Sequence, residues 1–331
     1  MNRKYHIVTI VYGNEINSLE LQAHSIARFV KPDDVASINV IVNDIREESV
    51  LNDVRNRLSS YGKLKDRVSV VLPKDIICSE RAKLGRTLKR LFVHNRHRVP
   101  FRVQAGWRGN NGWMMQQAFK LCAARLCDDG YVLILDAKNF FVAPVSAEDF
   151  VADDGRPRSF LEEASPAQAK WSGNARQIFG LPSLARDALH PPSTTPFVID
   201  ANTFAAAREG IESRLGPVEC YFGVRTPLER KGSKASEFML LHAYAEKAFG
   251  AWDACFAEGL APAASINRTT TEDGVDAMIR KIERGESPVF SIHMTRLGTL
   301  PDKQVSRISA LLREKDLNAP LDHLGNTGNG A

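Results

Sequence analysis

The sequence predicts an α/β protein of three layers, with a mostly parallel central sheet and a loop-rich second half. Short β-branched runs recur along the first 140 residues with helix-length segments between them. The runs are apolar at successive positions, as strands covered on both faces are, where a half-exposed strand would alternate. Each stops abruptly at polar or turn-forming residues. In parallel α/β sheets ligands bind outside the carboxyl ends of the strands, so those polar stops are where a site is expected.

The first run, Ile7-Val8-Thr9-Ile10-Val11, ends at Gly13-Asn14. A helix should follow, with Leu19, Leu21, Ile26 and Phe29 on its periodicity and Lys31-Pro32-Asp33-Asp34 closing it. Ile38 to Val42 is a second strand stopped by Asn43-Asp44, which completes a β-α-β unit with a right-handed crossover. Val50 to Tyr61 predicts a helix and Val68 to Leu72 a third strand, ended by Pro73. Arg81 to Arg102 is strongly basic, with Leu84, Leu88, Leu91 and Phe92 at helical spacing. Such a run is usually the solvated face of an amphipathic helix; the alternative is an electropositive patch for phosphate or an anionic acceptor.

Gly106 to Gly112 is a loop by composition, feeding a helix from Trp113 to about Leu126 with Met114, Ala118, Leu121 and Leu126 facing inward. The apolar run Tyr131-Val132-Leu133-Ile134-Leu135 then ends in Asp136-Ala137-Lys138-Asn139, the best-placed polar segment in the chain. Beyond about Val151 the pattern loosens. Asp153 to Ala169 is rich in Pro, Ser and charge, and Leu181 to Pro196 holds four prolines, predicting loops and short helices and no new sheet domain. Phe197-Val198-Ile199 is a short strand, Asn202 to Glu212 a helix, Ser236 to Phe249 a helix with a Ser cap, and Val289 to His293 a late strand. The Gly/Asn-rich end, 324–331, is expected to be disordered.

Composition narrows the function classes. Hydrophobic residues make up 44% and charged residues 25% of the 331, so neither global disorder nor a fibrous architecture is indicated. The net charge of +5 suits an anionic substrate or a membrane surface and does not by itself imply nucleic acid. Five cysteines without a C-x-x-C pair argue against a zinc site or a disulfide framework, and Cys122 and Cys127 read as buried thiols. No secretory leader and no run of roughly 20 apolar residues is visible. The expected location is the cytoplasm, with peripheral contact at the inner membrane allowed.

Several segments together resemble the nucleotide-sugar-dependent glycosyltransferases of the GT-A fold, and in particular a bacterial family of uncharacterised glycosyltransferase-like proteins. They are Val8 to Tyr12, Leu21-Gln22-Ala23-His24-Ser25-Ile26, Val42-Asn43-Asp44, Trp113 to Leu121, the Asp136 segment, Ser236-Glu237-Phe238 and Ser291-Ile292-His293. The resemblance implies a GT-A-like, Rossmann-like domain over 1–315, with a nucleotide-binding half at 1–150, an acceptor-side half at 151–315 and a flexible tail at 316–331. It implies a nucleotide sugar as donor, a polysaccharide, glycan or lipid-linked acceptor, and no specific nucleic acid.

Residue by residue, Val11, Tyr12 and Gly13 resemble the nucleotide cradle, and Asp44 a carboxylate that reads base or ribose. Asp44 reads equally well as a turn or helix cap. Gln116 and Lys120 lie four apart on one helix face and could meet the nucleotide, or could be an ordinary exposed face. Two carboxylates in an Asp-x-Asp normally hold the divalent cation (Mn or Mg) that neutralises a leaving diphosphate. Here the second acid is missing: Lys138 takes its place and Asn139 adds only a neutral oxygen. Either Lys138 is itself the fixed cation, or a metal sits on Asp136 with His293 and water. Glu237 resembles a general base, at a helix start where an acid is also favoured by the dipole. The expected catalytic set is therefore Glu237, Asp136 and Lys138. A catalytically degenerate sugar-nucleotide or partner-binding protein is the alternative, and polyanion binding through 81–102 a lower one.

Overall fold

The computed structural model describes residues 4–77, 88–98, 103–185, 187–224 and 234–317. Its strands are β1 (Tyr5–Val11), β2 (Val35–Val42), β3 (Val68–Val71), β4 (Tyr131–Asp136), β5 (Asn139–Phe141), β6 (Arg158–Ser159), β7 (Phe197–Asp200), β8 (Ala257–Glu258), β9 (Ala264–Ile266) and β10 (Val289–Ile292). Its helices are α1 (Ile16–Phe29), α2 (Glu47–Arg55), α3 (Pro73–Ile76), α4 (Leu88–His94), α5 (Gly112–Cys122), α6 (Pro166–Phe179), α7 (Ala201–Leu215), α8 (Val218–Gly223), α9 (Glu237–Phe249), α10 (Trp252–Cys255), α11 (Glu272–Glu283), α12 (Met294–Leu297) and α13 (Asp302–Glu314).

The central sheet has the order β3-β2-β1-β4-β7. Its first four strands run parallel and β7 is antiparallel to β4. Both faces of β1, β4 and the second half of β2 are covered, which is why those runs are apolar, whereas the edge strand β3 leaves Ser69 exposed. Val8, Ile10, Val132 and Ile134 pack with α5, α7 and α9 through Phe119, Phe204 and Phe238. Ile7, Val11, Leu133 and Leu135 pack on the other side with Leu19, Ala23 and Ile26 of α1 and Val50 and Val54 of α2. The predicted three-layer α/β architecture is thus observed, and β1 to β4 match their expected runs to within three residues.

The chain winds outward from β1 through β2 to β3, then crosses back to place β4 on the other side of β1. The strand order therefore reverses between β1 and β4, where the helices on either side diverge and leave a crevice at the carboxyl ends. The register brings Ile10 beside Asp136 and Val11 beside Val42, so the loops after β1, β2 and β4 open at one edge.

Other expectations need correction. The late strand β10 does not join the central sheet. It pairs antiparallel with β5 and parallel with β9, and this small sheet is buried by α11 and α13, two helices the pattern reading did not separate out. The predicted helix over 50–61 is shorter, since α2 ends at Arg55 and tight 3-10 turns cover Leu58–Arg67, where Gly62 takes a positive φ of 54°. The Pro- and Ser-rich insertion contains a full helix, α6, opened by a Ser165/Gln168 capping box with Pro166 at its first position.

Part of the basic stretch lies outside the described residues. In α4 the expected inward Leu91 and Phe92 are exposed, while Arg90 and Val93 are buried. The reason is a buried counter-charge: Arg90 Nε lies 3.6 Å from Oε1 of Glu219, which is itself 2% exposed. Arg90 thus points into the protein and away from a solvated basic face. The expected tail, from 318 on, also lies outside the described residues. Cys122 and Cys127 are buried thiols outside any disulfide, as are Cys220 and Cys255. Among the described residues no helix is long and apolar enough to cross a membrane.

Candidate active site

Asp136 ends β4 beside the reversal point, and two amides fix its backbone. Gln22 of α1 has its Nε2 hydrogens on the carbonyls of Asp136 (2.8 Å) and Asn139 (2.7 Å), and its Oε1 accepts from the Thr9 hydroxyl at 2.9 Å. All of its side-chain donors are therefore used while it is fully buried, tying β1 to the turn after β4. Asn139 Oδ1 accepts from the Asp136 N–H at 2.6 Å and from the Thr195 hydroxyl at 2.7 Å. Asn139 is 1% exposed. It is thus a turn-forming residue, and of its amide only Nδ2 lacks a partner among the described residues.

Besides the Thr195 hydroxyl, three nitrogen-bearing side chains meet the Asp136 carboxylate. Gln116 Nε2 donates to Oδ1 at 2.8 Å, Lys120 Nζ lies 2.8 Å from the same oxygen, and Lys138 Nζ is 3.6 Å from Oδ2. The four-residue spacing of Gln116 and Lys120 puts both on the face of α5 that looks at Asp136. The bland reading of that face is excluded, since Lys120 is buried. Its ammonium also donates to Glu237 Oε1 at 3.1 Å and sits 4.8 Å from the centre of the Phe238 ring. Burial opposes ionisation of Asp136, yet Lys120 and Lys138 hold its carboxyl well below the usual range. Burial raises the Glu237 carboxyl, against the pull of Lys120. Lys120 stays charged: burial alone would lower it, and Asp136 and Glu237 more than compensate.

Glu237 is the first residue of α9, after Ser236, whose Oγ accepts from the Met239 N–H. The expected Ser cap is present, and the acid behind it is engaged with Lys120. With that oxygen paired and the residue 6% exposed, Glu237 is poorly suited to the general-base role the resemblance implied.

The loops after β1 and β2 are stitched together. Asp44 is buried and accepts from the Gly13 N–H at 2.9 Å and the Arg46 N–H at 2.8 Å, so the turn-cap reading describes its geometry. Val11 is fully buried and its carbonyl accepts from the Asn43 N–H, so it supplies framework and no free polar group. The Asn43 side chain donates to the Gly112 carbonyl at 2.9 Å and accepts from the Trp107 N–H at 3.0 Å, anchoring the start of α5 over the crevice. Tyr12 packs against Gly112 so closely that a Cβ there would lie 2.5 Å from Tyr12 Cε1. Burial, then Glu15, Asp136 and Asp44, keep the Tyr12 phenol protonated.

Glu15, in the turn between β1 and α1, has a buried Oε2 with no partner among the described residues. Burial first and Asp136 second raise its carboxyl to about 7, against Lys138, the Tyr12 backbone and Lys120. Sequence reasoning did not select Glu15, Gln22, Asn43 or Thr195 as site residues. Gln22 carried a signal, since its place between Leu19, Ala23 and Ile26 puts an amide on the core face of α1.

The donor set does not fit a divalent cation. Every Asp136 oxygen already faces an ammonium. His293 lies near enough to feel Lys138 and Asp136, but its Nδ1 faces the Thr295 N–H at 3.2 Å and its Nε2 the Arg268 Nε at 3.0 Å. A neutral imidazole has a single acceptor nitrogen, so no lone pair is left for a metal. Burial, Lys138 and Arg268 lower its pKa to about 4. Among the described residues no three His, Cys, Asp or Glu side chains are grouped to hold a metal. A cavity of about 450 Å³ lined by Arg156, Trp252, Phe256 and Glu258 contains none of these residues.

Residues 7–275 match the model of a family of unknown function, DUF6492. Comparison with curated proteins gave no match. Among solved structures, galactosyltransferase LgtC in complex with donor and acceptor sugar analogues aligns with 72% of this chain and 69% of its own, at 13% identity and a TM-score of 0.36. An active-site mutant of LgtC aligns over 94% and 99% at 12% identity and 0.42. Mouse xyloside xylosyltransferase 1, apo form, aligns over 87% and 97% at 8% identity and 0.39. At these scores no residue role passes from them to this chain.

Proposed function

We propose that this chain, which belongs to the family of unknown function DUF6492, is a glycosyltransferase that moves a sugar from a nucleotide-sugar donor to a glycan or lipid-linked acceptor. One observation carries the reading. The crevice where the strand order reverses, between β1 and β4, is lined by an ionised carboxylate with two ammonium groups beside it. A diphosphate leaving group needs fixed positive charge, and the hydroxyls of a sugar need carboxylate acceptors. Both are supplied at the place where nucleotide ligands sit in sheets of this kind.

The two lysines have different parts. Lys120 is 5% exposed and held at 2.8 Å, so its charge is committed to Asp136 and Glu237. Lys138 is 24% exposed and its 3.6 Å contact is longer than a hydrogen bond, so it can turn to a diphosphate at small cost. Lys138 then neutralises the leaving group in place of a metal. Asp136, oriented by Gln116 and Gln22, faces the sugar, and Tyr12, Gly13 and Asp44 border the nucleoside. Calorimetry with UDP, GDP and a panel of nucleotide sugars in EDTA tests this. Micromolar binding that weakens by about tenfold or more in Lys138→Ala is expected, and absence of binding to every member, with or without manganese, overturns it.

The engagement of Asp136 Oδ1 by both Gln116 and Lys120 favours a second reading, a sugar-nucleotide binder without turnover. Product formation that disappears in Asp136→Ala and survives in the exposed control Lys303→Ala eliminates it.

A further inference from the structure

We propose that Glu15 is the group that takes the proton of the attacking hydroxyl, a role that rests on the glycosyl-transfer reading of this site. Three acids converge on the crevice. Asp136 has both oxygens facing ammonium groups, and Glu237 is paired with Lys120. Of the three, Glu15 is the one with a fully buried carboxylate oxygen, Oε2, that has no partner among the described residues. A buried unpaired carboxylate oxygen carries an uncompensated desolvation penalty, and such a group in a native fold calls for a reason. Its location supplies one: Glu15 lies in the turn leaving β1, on the opposite side of the reversal point from Asp136.

The residue as a whole is half-buried. The terminal torsion of a glutamate has a broad, two-fold profile, so either oxygen can be presented to the crevice. The charged groups around it are Asp136 on β4, Lys138 in the β4–β5 turn and Lys120 on α5, with the Tyr12 phenol in its own loop. They leave its carboxyl titrating at about 7, where a general base is most effective.

In the step, an acceptor oxygen bonds to the anomeric carbon as the bond from that carbon to the phosphate oxygen breaks. The bonding pair leaves on the nucleoside diphosphate, toward Lys138. The hydroxyl proton passes to Glu15, and from there to solvent once product departs. The displacement is in line and inverts that carbon.

The test uses UDP-glucose, UDP-galactose, UDP-N-acetylglucosamine and GDP-mannose as probes. For each that binds by calorimetry, release of nucleoside diphosphate to water is measured from pH 5.5 to 9 in the wild type, Glu15→Gln and Glu15→Asp. Glu15→Gln should bind within about twofold of the wild type, release diphosphate about 100-fold or more slowly, and lose the rise in rate near pH 7. Glu15→Asp should keep that rise at a reduced rate. A Glu15→Gln rate within about tenfold of wild type with the same pH limb overturns the assignment and leaves the function standing. Lost binding in that variant also overturns it, by making Glu15 a binding group. If none of the four binds, or a bound one is never turned over by the wild type, the glycosyl-transfer reading fails and takes this role with it.

Discussion

Lys120 Nζ lies 2.8 Å from Asp136 Oδ1, and the same ammonium reaches Glu237 at 3.1 Å, so one buried cation joins the end of β4 to the start of α9. Removing one member of a buried ion cluster leaves the others unpaired in low dielectric, a cost of about 3–5 kcal/mol. Lys120→Met should therefore lower the unfolding free energy by about that amount at pH 7 in urea titrations. Lys120→Met with Glu237→Gln should recover part of the loss, because one uncompensated carboxylate is gone. The Asp136 contribution has a definite sign. Its carboxyl is depressed in the fold, so the stability it adds is present above the ordinary aspartate range and is lost as pH falls below that range.

Metal dependence gives a second test. With Lys138 facing Asp136, EDTA or added manganese should change neither nucleotide-diphosphate affinity nor the melting temperature of the wild type. Lys138→Ala should weaken diphosphate binding by about tenfold or more, the worth of a charge-assisted contact. Manganese binding by the wild type in calorimetry would contradict the exclusion drawn from the donor set.

Glu15 also makes stability depend on pH. Its carboxyl titrates at about 7 in the fold, against 4.5 for a free glutamate. The folded state therefore holds the extra proton between those values. The contribution is complete below pH 4.5 and is lost as pH rises through 7. Glu15→Gln removes it, so the stability of the variant relative to wild type should rise by roughly 2–3 kcal/mol between pH 4.5 and 8 in parallel denaturant titrations.

How much was legible in the sequence follows from the range of the forces involved. The runs that became β1, β2 and β4 are local, continuous and apolar because both faces are covered, and Asp136 was found from its place at the end of one of them. Ser236 was found for the same reason, since a cap acts within one helical turn. The partners of Asp136 were only half legible. The spacing of Gln116 and Lys120 put them on one face, but that this face looks at β4 is set by packing between α5, α8 and α9. Glu15 gave no signal, because what makes it unusual is a charge environment assembled from residues 120, 136 and 138. The opposite error befell Leu91 and Phe92. Helical spacing predicted them inside, and a distant Glu219 drew Arg90 in instead.

Gly112 makes the last prediction. Its carbonyl is held by the Asn43 side chain at 2.9 Å, so the start of α5 cannot retreat from the crevice. A Cβ at this position would meet Tyr12 Cε1 at 2.5 Å and its hydroxyl at 2.9 Å, so the ring must move. Gly112→Ala should cost about 1–3 kcal/mol through overpacking. It should also weaken nucleotide binding beyond what the stability loss explains, because the displaced Tyr12 borders the nucleoside. Gly173, inside α6, is the control: a Cβ there meets nothing within 4 Å. Gly173→Ala should stabilise by about 0.4–1 kcal/mol by restricting the unfolded chain, with nucleotide affinity unchanged. Thermal melts and calorimetry on the pair separate a general effect of filling a helical glycine from a specific one on Tyr12. If Gly112→Ala binds nucleotide as tightly as Gly173→Ala does, Tyr12 has no part in the cradle.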